Sequence, residues 1–497
     1  MPRSGGAAFD FVENSGFAVA TSREVVHALR AMPRPHLLPA SVGLLASSLV
    51  AGAASADWTV LGGTMGRNGL VSSVGPVTPK IAWQGAPESL IAWTPLVEGN
   101  RVFLVRQTYA QAPFNPPPGD SIVYCFDLDT GAILWSFDCP YVPGDWTTVL
   151  YGVNQGRVFV GRGGNGSSAS APVYCLDAST GQVIWTSAIE VATGAYDGVV
   201  FADDGDPIFA THLVIRRLDW NTGAGVWAKS RSCSVSGDCG PARSGNSLYL
   251  DETAGGGQRL SRFDLATGNR LYQSQTMPGF LSQNTPFCGA NGMVFYPRTQ
   301  GNPSTDLLYA FRDTGTAFQL LWTAPCLAGA GSQHGITPDG GVVMVNLDGK
   351  LEIRDQETGE LRHQSATSVN APINQSHVAV DANGTIYYGN GGFPGTISCF
   401  EPDLSLRWSI EVPNLNQGGP VLAGDGSLLV AGVGTSLTCY RDPGCIAADL
   451  NCDGVVNGAD LTILLSAWGK CPGCDADLNE DGVVNGADLT ILLANWG

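Results

Sequence analysis

"CFDLDTGAILW" at 125–135 reads as a strand, a tight turn and a second strand that ends on an aromatic ring. The phrase returns as "CLDASTGQVIW" (175–185), "RLDWNTGAGVW" (217–227), "RFDLATGNRLY" (262–272) and "IRDQETGELRH" (353–363). Looser copies are "AFRDTGTAFQLLW" (310–322) and "CFEPDLSLRW" (399–408). The Thr-Gly step supplies the positive φ that a short hairpin needs. The closing aromatic offers a large flat surface that packs between layers.

A second kind of phrase alternates with the first. It is an apolar strand, a Gly/Asn/Asp turn and another apolar strand, as in "LVEGNRVFLV", "GVNQGRVFVG" and "VLAGDGSLLVAG". Eight such hairpins run from near Leu96 to near Gly432. Together the two phrases give four antiparallel strands per unit, repeating about every 40–55 residues, which is the signature of a β-propeller. Seven outermost strands end at Trp135, Trp185, Trp227, Tyr272, Trp322, His363 and Trp408. The eighth unit has "SLTCYR" (436–441) as its third strand and then stops. "KIAWQG", with Trp83 in the aromatic place, supplies the missing strand from the other end of the chain. The fold class is therefore all-β: an eight-bladed β-propeller over 57–442, closed by its N-terminal strand, with seven blades as the alternative count.

Charged residues make up only 14% of the chain and Gly numbers 65, which suits many short strands joined by tight turns. The net charge of −18 repels phosphate backbones and anionic lipid, which excludes nucleic acid as a partner. No apolar stretch is long enough for a membrane span in the mature protein. Residues 1–56 read as a leader. From Met32, a short basic start precedes an apolar run from Leu37 to Ala53, then Ala54-Ser55-Ala56, the order of a cleaved export signal. Translation is expected to begin at Met32, with cleavage after Ala56 and an extracellular or cell-surface destination.

The repeat phrase and the opening "DWTVLGGTMGRNG" (57–69) resemble the pyrroloquinoline-quinone-like β-propellers. That family holds quinone-dependent dehydrogenases and non-catalytic propellers alike, so the resemblance implies a fold and not a reaction. The family's dehydrogenases are marked by adjacent cysteines beside the quinone, and this chain has no Cys-Cys pair, which makes pyrroloquinoline quinone an unlikely cofactor. No catalytic signature is found. His212, His334, His363 and His377 read as structural or exposed, and Asp203, Asp204 and Asp206 as turn residues. Three longer loops (107–121, 162–172, 296–306) are candidate binding rims. The 13 Cys are an odd number. Cys125, Cys175, Cys399 and Cys439 share one repeat position and read as buried thiols. Cys233–Cys239 is an expected disulfide, and Cys288–Cys326 a weaker one.

The chain ends on one segment written twice. "ADLNCDGVVNGADLTILLSAWG" (448–469) and "ADLNEDGVVNGADLTILLANWG" (476–497) agree at 19 of 22 positions. Asp449, Asn451, Asp453, Val455, Asn457 and Asp460 fall at positions 1, 3, 5, 7, 9 and 12 of a calcium loop, with Gly454 at 6. Asp477, Asn479, Asp481, Val483, Asn485 and Asp488 repeat them, with Gly482 at 6. Calcium takes about 6–8 oxygens, position 7 uses its backbone carbonyl, and two ions are expected. Each loop opens one helix with an apolar stripe: Leu461, Leu464, Leu465, Trp468 and Leu489, Leu492, Leu493, Trp496. One such unit cannot bury its stripe, and two can pack face to face.

Residues 446–497 resemble a type I dockerin. The resemblance implies two bound calcium ions and a cohesin-like partner in a polysaccharide-degrading or surface assembly. It places partner choice at positions 10 and 11, here Gly458-Ala459 and Gly486-Ala487 instead of the usual Ser-Thr. Little linker separates this module from the propeller, so it has room to dock there. Cys445, Cys452, Cys471 and Cys474 read as disulfides stapling a small core, ahead of a zinc or redox site. The leading expectation is a non-catalytic recognition or scaffold propeller, with a glycan or protein on its face and the tail as tether. The rival is an extracellular enzyme, either a quinone-dependent oxidoreductase or a carbohydrate-active hydrolase or lyase.

Overall fold

The computed structural model describes residues 57–109, 119–164, 169–194, 198–211, 213–233, 240–278, 284–298, 304–327, 329, 331–370, 375–443, 447–451, 455–471, 473–479 and 481–497. Among these, the strands of 80–441 form eight four-stranded antiparallel sheets, the blades of a propeller. Blades 1 to 7 span 96–138, 147–193, 199–230, 242–273, 287–325, 335–364 and 377–412. Blade 8 takes three strands from 421–441 and its outermost one, β1 (Lys80–Gln84), from the N-terminal side. Ile81 pairs with Tyr440 and Trp83 with Cys439, the closure that the repeat count requires. Blade 4 carries an extra two-residue strand, Met277–Pro278.

The repeat phrase sets one register throughout. The aromatic position of each outermost strand lies opposite the same place on the third strand: Cys125 with Trp135, Cys175 with Trp185, Arg217 with Trp227 and Arg262 with Tyr272. Ala310 with Trp322, Ile353 with His363, Cys399 with Trp408 and Cys439 with Trp83 complete the set. All eight show a register shift next to that pair, a bulge that sharpens the local twist.

Each ring is aimed at the next blade. Trp83 Nε1 donates to Leu128 O at 2.7 Å, Trp135 to Ala178 O at 3.0 Å, Trp185 to Trp220 O at 2.8 Å and Trp322 to Gln356 O at 3.0 Å. The ring lies against the glycine of the receiving turn. Gly131 has φ +71°, and a Cβ there would sit 2.5 Å from the Trp83 ring. Thus Gly is required twice, for the turn and for the close approach. The turn is locked by its Asp: Asp127 Oδ1 accepts from Thr130 N at 2.9 Å and Thr130 Oγ1 at 2.8 Å. Those bonds hold the Asp127 carboxyl below its ordinary value.

The cysteines follow the reading of the repeat in part. Cys125, Cys175, Cys399 and Cys439 are buried thiols, and burial pushes the first three up to about 12. The expected Cys288–Cys326 bridge is not formed: both are thiols, buried in separate apolar clusters, one with Tyr249 and the other with Phe295. Cys239, the expected partner of Cys233, lies outside the described residues, as do Cys445 and Cys452. Cys471 and Cys474 are joined as a disulfide. Asp204 and Asp206 pair with Arg217, and Asp203 with Arg243, so this acidic turn is neutralised by its own and the next blade.

Docked ring and glycine act as one unit, so their losses should not add. Trp135→Ala is expected to cost about 3 kcal/mol. Gly181→Ala, which strains a φ of +71° and meets the same ring, is expected to cost about 2 kcal/mol. Chemical denaturation of the double variant is expected to show a loss clearly below the sum. Full additivity would contradict the shared contact.

Candidate functional site

In the tail, α1 (Gly458–Ser466) and α2 (Gly486–Ala494) each follow one repeated loop, with no helix before either. Both begin with the same reciprocal cap. Asn457 Oδ1 accepts from Ala459 N at 2.8 Å while Asp460 Oδ2 accepts from Asn457 N at 2.8 Å. Asn485 and Asp488 repeat this with the same distances. The other oxygen of each Asp reaches back to the loop, from Asn451 N at 3.1 Å and from Asn479 N at 3.2 Å. Burial pushes these two carboxyls up, but the backbone bonds outweigh it and hold both below the ordinary range.

The second loop gathers positions 1, 3 and 5. Asp477 accepts from Asp481 N at 3.1 Å and from Gly482 N at 2.7 Å, and Asn479 Nδ2 donates to Asp481 at 3.0 Å. Gly482 has φ +87°, as a sharp turn at position 6 demands. In the first loop Asp449 is likewise buried, and Asp453 and Gly454 lie outside the described residues. At position 9, Asn457 and Asn485 serve as helix caps, a role the spacing did not assign. Their Nδ2 groups donate to the position-7 carbonyls of Val455 and Val483 at 3.0 and 2.9 Å. Among the described residues no three His, Cys, Asp or Glu side chains converge as a metal cage. The loops present hard oxygen donors held by backbone N–H groups, a donor set that suits calcium.

The two apolar stripes bury only in part. Leu464 and Leu492 are fully buried between the helices, with Leu461 and Leu489 packed beside them. Leu465, Trp468, Leu493 and Trp496 stay 51, 50, 51 and 48% exposed. A pair of helices of nine residues meets along one line, and each Trp lies beyond its helix end. Gly458, Ala459, Gly486 and Ala487 are exposed in the first turns.

In the propeller, residues 57–75 run past the inner strands in blade order. Trp58 O accepts from Val97 N (blade 1), Thr59 O from Val153 N (blade 2) and Met65 O from Arg243 N (blade 4). Phe201 N of blade 3 lies 3.4 Å from Met65 Sδ. Gly66 O, Asn68 O and Gly69 O then accept from Cys288, Ile336 and Val380 of blades 5, 6 and 7. Ser73 Oγ donates to Ala423 O of blade 8 at 2.7 Å. The segment touches all eight blades. Two cavities beside it, lined by Leu61, Arg67 and His334 and by Leu61, Trp93 and Gln417, measure about 10 and 20 Å3.

The model of the outer membrane protein assembly factor BamB family matches residues 119–365. No curated protein matches the sequence. The quinohemoprotein alcohol dehydrogenase of Comamonas testosteroni superposes with a TM-score of 0.54 at 12% identity, over 88% of this chain and 90% of that one. BamB of Moraxella catarrhalis gives 0.42 at 15%, over 70% and 81%.

Over residues 119–365 the chain is similar to that family, and its fold is an eight-bladed propeller.

Likeness at these identities carries the fold alone. Each of the two cavities beside residues 57–75 is about the size of one water. Of the candidate loops 107–121, 162–172 and 296–306, residues 110–118, 165–168 and 299–303 lie outside the described residues, as does His212. His334 and His377, in blades 6 and 7, are buried. His334 stacks on Phe287 at 5.2 Å, and its Nε2 and both nitrogens of His377 make no hydrogen bond. Burial lowers both imidazoles to about 4. Sequence spacing gave no hint of this pair, because each belongs to a different blade.

These buried imidazoles make stability depend on pH. Their folded pKa lies below the unfolded value of about 6.5. Stability is then full above pH 6.5 and falls as pH drops toward 4, by up to about 3 kcal/mol per imidazole. His334→Phe, which keeps the stack on Phe287, is expected to remove about half of that slope in urea midpoints between pH 6.5 and 4. An unchanged slope would count against it.

Proposed function

We propose that this propeller is a non-catalytic, exported recognition or scaffold protein. Its tail, 446–497, acts as a dockerin: it binds two calcium ions and docks on a cohesin-like partner of a polysaccharide-degrading or surface assembly. The propeller face presents a glycan- or protein-binding surface. One observation carries the reading. The two loop-helix units share the same caps and the same turned-in Asp, and they leave the same Leu/Trp pair half exposed on each. Exposed apolar side chains at matching places suit a partner-binding surface.

Calcium would be held by Asp449, Asn451, Asp453 and Asp460 in one loop and by Asp477, Asn479, Asp481 and Asp488 in the other. The carbonyls of Val455 and Val483 complete each set, with Asn457 and Asn485 at the helix caps. The ion would supply the positive charge that the buried carboxylates otherwise draw from backbone N–H groups. Asp in place of Glu at position 12 has a shorter arm. It is already tied to the loop at positions 3 and 9, so the helix start moves with the ion.

The test is a calorimetric titration of calcium into chelator-treated full chain. Two sites are expected, with one lost in Asp449→Ala and the other in Asp477→Ala. At about a hundredfold excess over Kd, each site is expected to add about 2.7 kcal/mol to its module. No heat and no shift in the tail's melting would overturn the calcium reading.

A further inference from the structure

The Cys471–Cys474 disulfide stands on the approach to the second tail loop. The turn that it closes is tied to that loop at two points. Cys471 N donates to Gly482 O and Asp477 N donates to Cys474 O, both at 3.0 Å. These are positions 6 and 1 of the loop. Gly482 N in turn donates to Asp477 Oδ2 at 2.7 Å. Turn, Asp477 and Gly482 thus form one cycle, closed through the sulfur–sulfur bond. The short strands Gly469–Lys470 and Val483–Val484 pair beside it, with Lys470 opposite Val483.

The bridge is not part of the repeated unit. In the first copy the places of Cys471 and Cys474 hold Pro443 and Ile446. Cys445 and Cys452 fall at other places of the repeat, those of Gly473 and Glu480. The bridge is also within reach of a small reductant: both cysteines are half-buried and Gly473 between them is exposed.

A disulfide acts mainly by narrowing what the opened chain can do. Here the narrowed part carries the turned-in carboxylate of Asp477, so the bridge shapes the loop before an ion arrives. On the calcium reading of the tail, we propose that Cys471–Cys474 is a redox latch on the second calcium site, and on that site alone. Opening it takes a dithiol. One thiolate attacks a bridge sulfur, a mixed disulfide forms, and the second thiol displaces the remaining cysteine. The reductant leaves as a disulfide, and its two protons end on Cys471 and Cys474. The freed loop then binds calcium more weakly. Linkage requires the reverse as well: calcium held at Asp477 makes the bridge harder to reduce, by the same factor.

Two measurements on the full chain test this. In calcium titration, the Cys471→Ser/Cys474→Ser variant is expected to keep one site unchanged and to bind about tenfold more weakly at the other. The unchanged site shows that the tail is still folded, and adding Asp477→Ala is expected to remove the weakened one. The second measurement sets the wild type in graded ratios of reduced to oxidised dithiothreitol, with alkylation and peptide mass spectrometry reading the Cys471–Cys474 pair. Calcium is expected to raise the ratio for half-reduction about tenfold, a shift abolished in Asp477→Ala and kept in Asp449→Ala. No calcium heat in the wild type would overturn the calcium reading and the latch with it. Two wild-type sites that the double Ser variant leaves unchanged, or weakens alike, would overturn the latch alone. So would a reduction ratio that calcium does not shift, or a shift that survives Asp477→Ala.

Discussion

An indole seated on the turn of the neighbouring blade is the contact on which this molecule depends. It joins the blades where strand pairing cannot, because hydrogen-bonded ladders run within a blade and stop at its outer edge. The Asp-locked turn, the glycine at positive φ and the bulge beside the aromatic pair all serve to present one carbonyl and one bare Cα to that ring. Two rings lack the bond to the carbonyl: the indole N–H groups of Trp227, facing blade 4, and Trp408, facing blade 8, are buried without a partner.

The tail uses a different economy of parts. Two copies of a unit too small to fold alone meet through Leu464 and Leu492. In each, one Asp serves helix and loop together, so the loop's shape and the helix start are a single mechanical element. Duplication also doubles whatever surface the unit presents, and that surface is the Leu/Trp pair left outside the contact.

The propeller was legible because its signal is local. Strand, turn, Gly and aromatic lie within eleven residues, so counting phrases gave the blades, and one strand short at the end pointed to Trp83. The helices were legible for the same reason, but the cap role of Asn457 and Asn485 was not. What escaped was everything built between distant segments. Residues 57–75 carry no periodicity, since each meets a different blade. The pairing of Cys288 with Cys326 failed because sequence order says nothing of which apolar cluster a thiol joins. The stripes of the tail helices were read from spacing as packing face to face, but spacing does not show where two short helices part.

The path of residues 57–75 bears on how the chain reaches its native state. Ser73 bonds blade 8 across 350 residues, and Thr78 bonds Asp442 across 364. The end of this segment is thus synthesised long before its last partners in blade 8. Until blade 8 exists, β1 and the Ser73 end of that segment lack their partners. Contacts of such span are slow to close. The ring has no partial form that satisfies its ends, so a truncated or stalled chain presents an open blade edge and a free apolar segment together. For this molecule, completeness of the polypeptide is itself a checkpoint on folding.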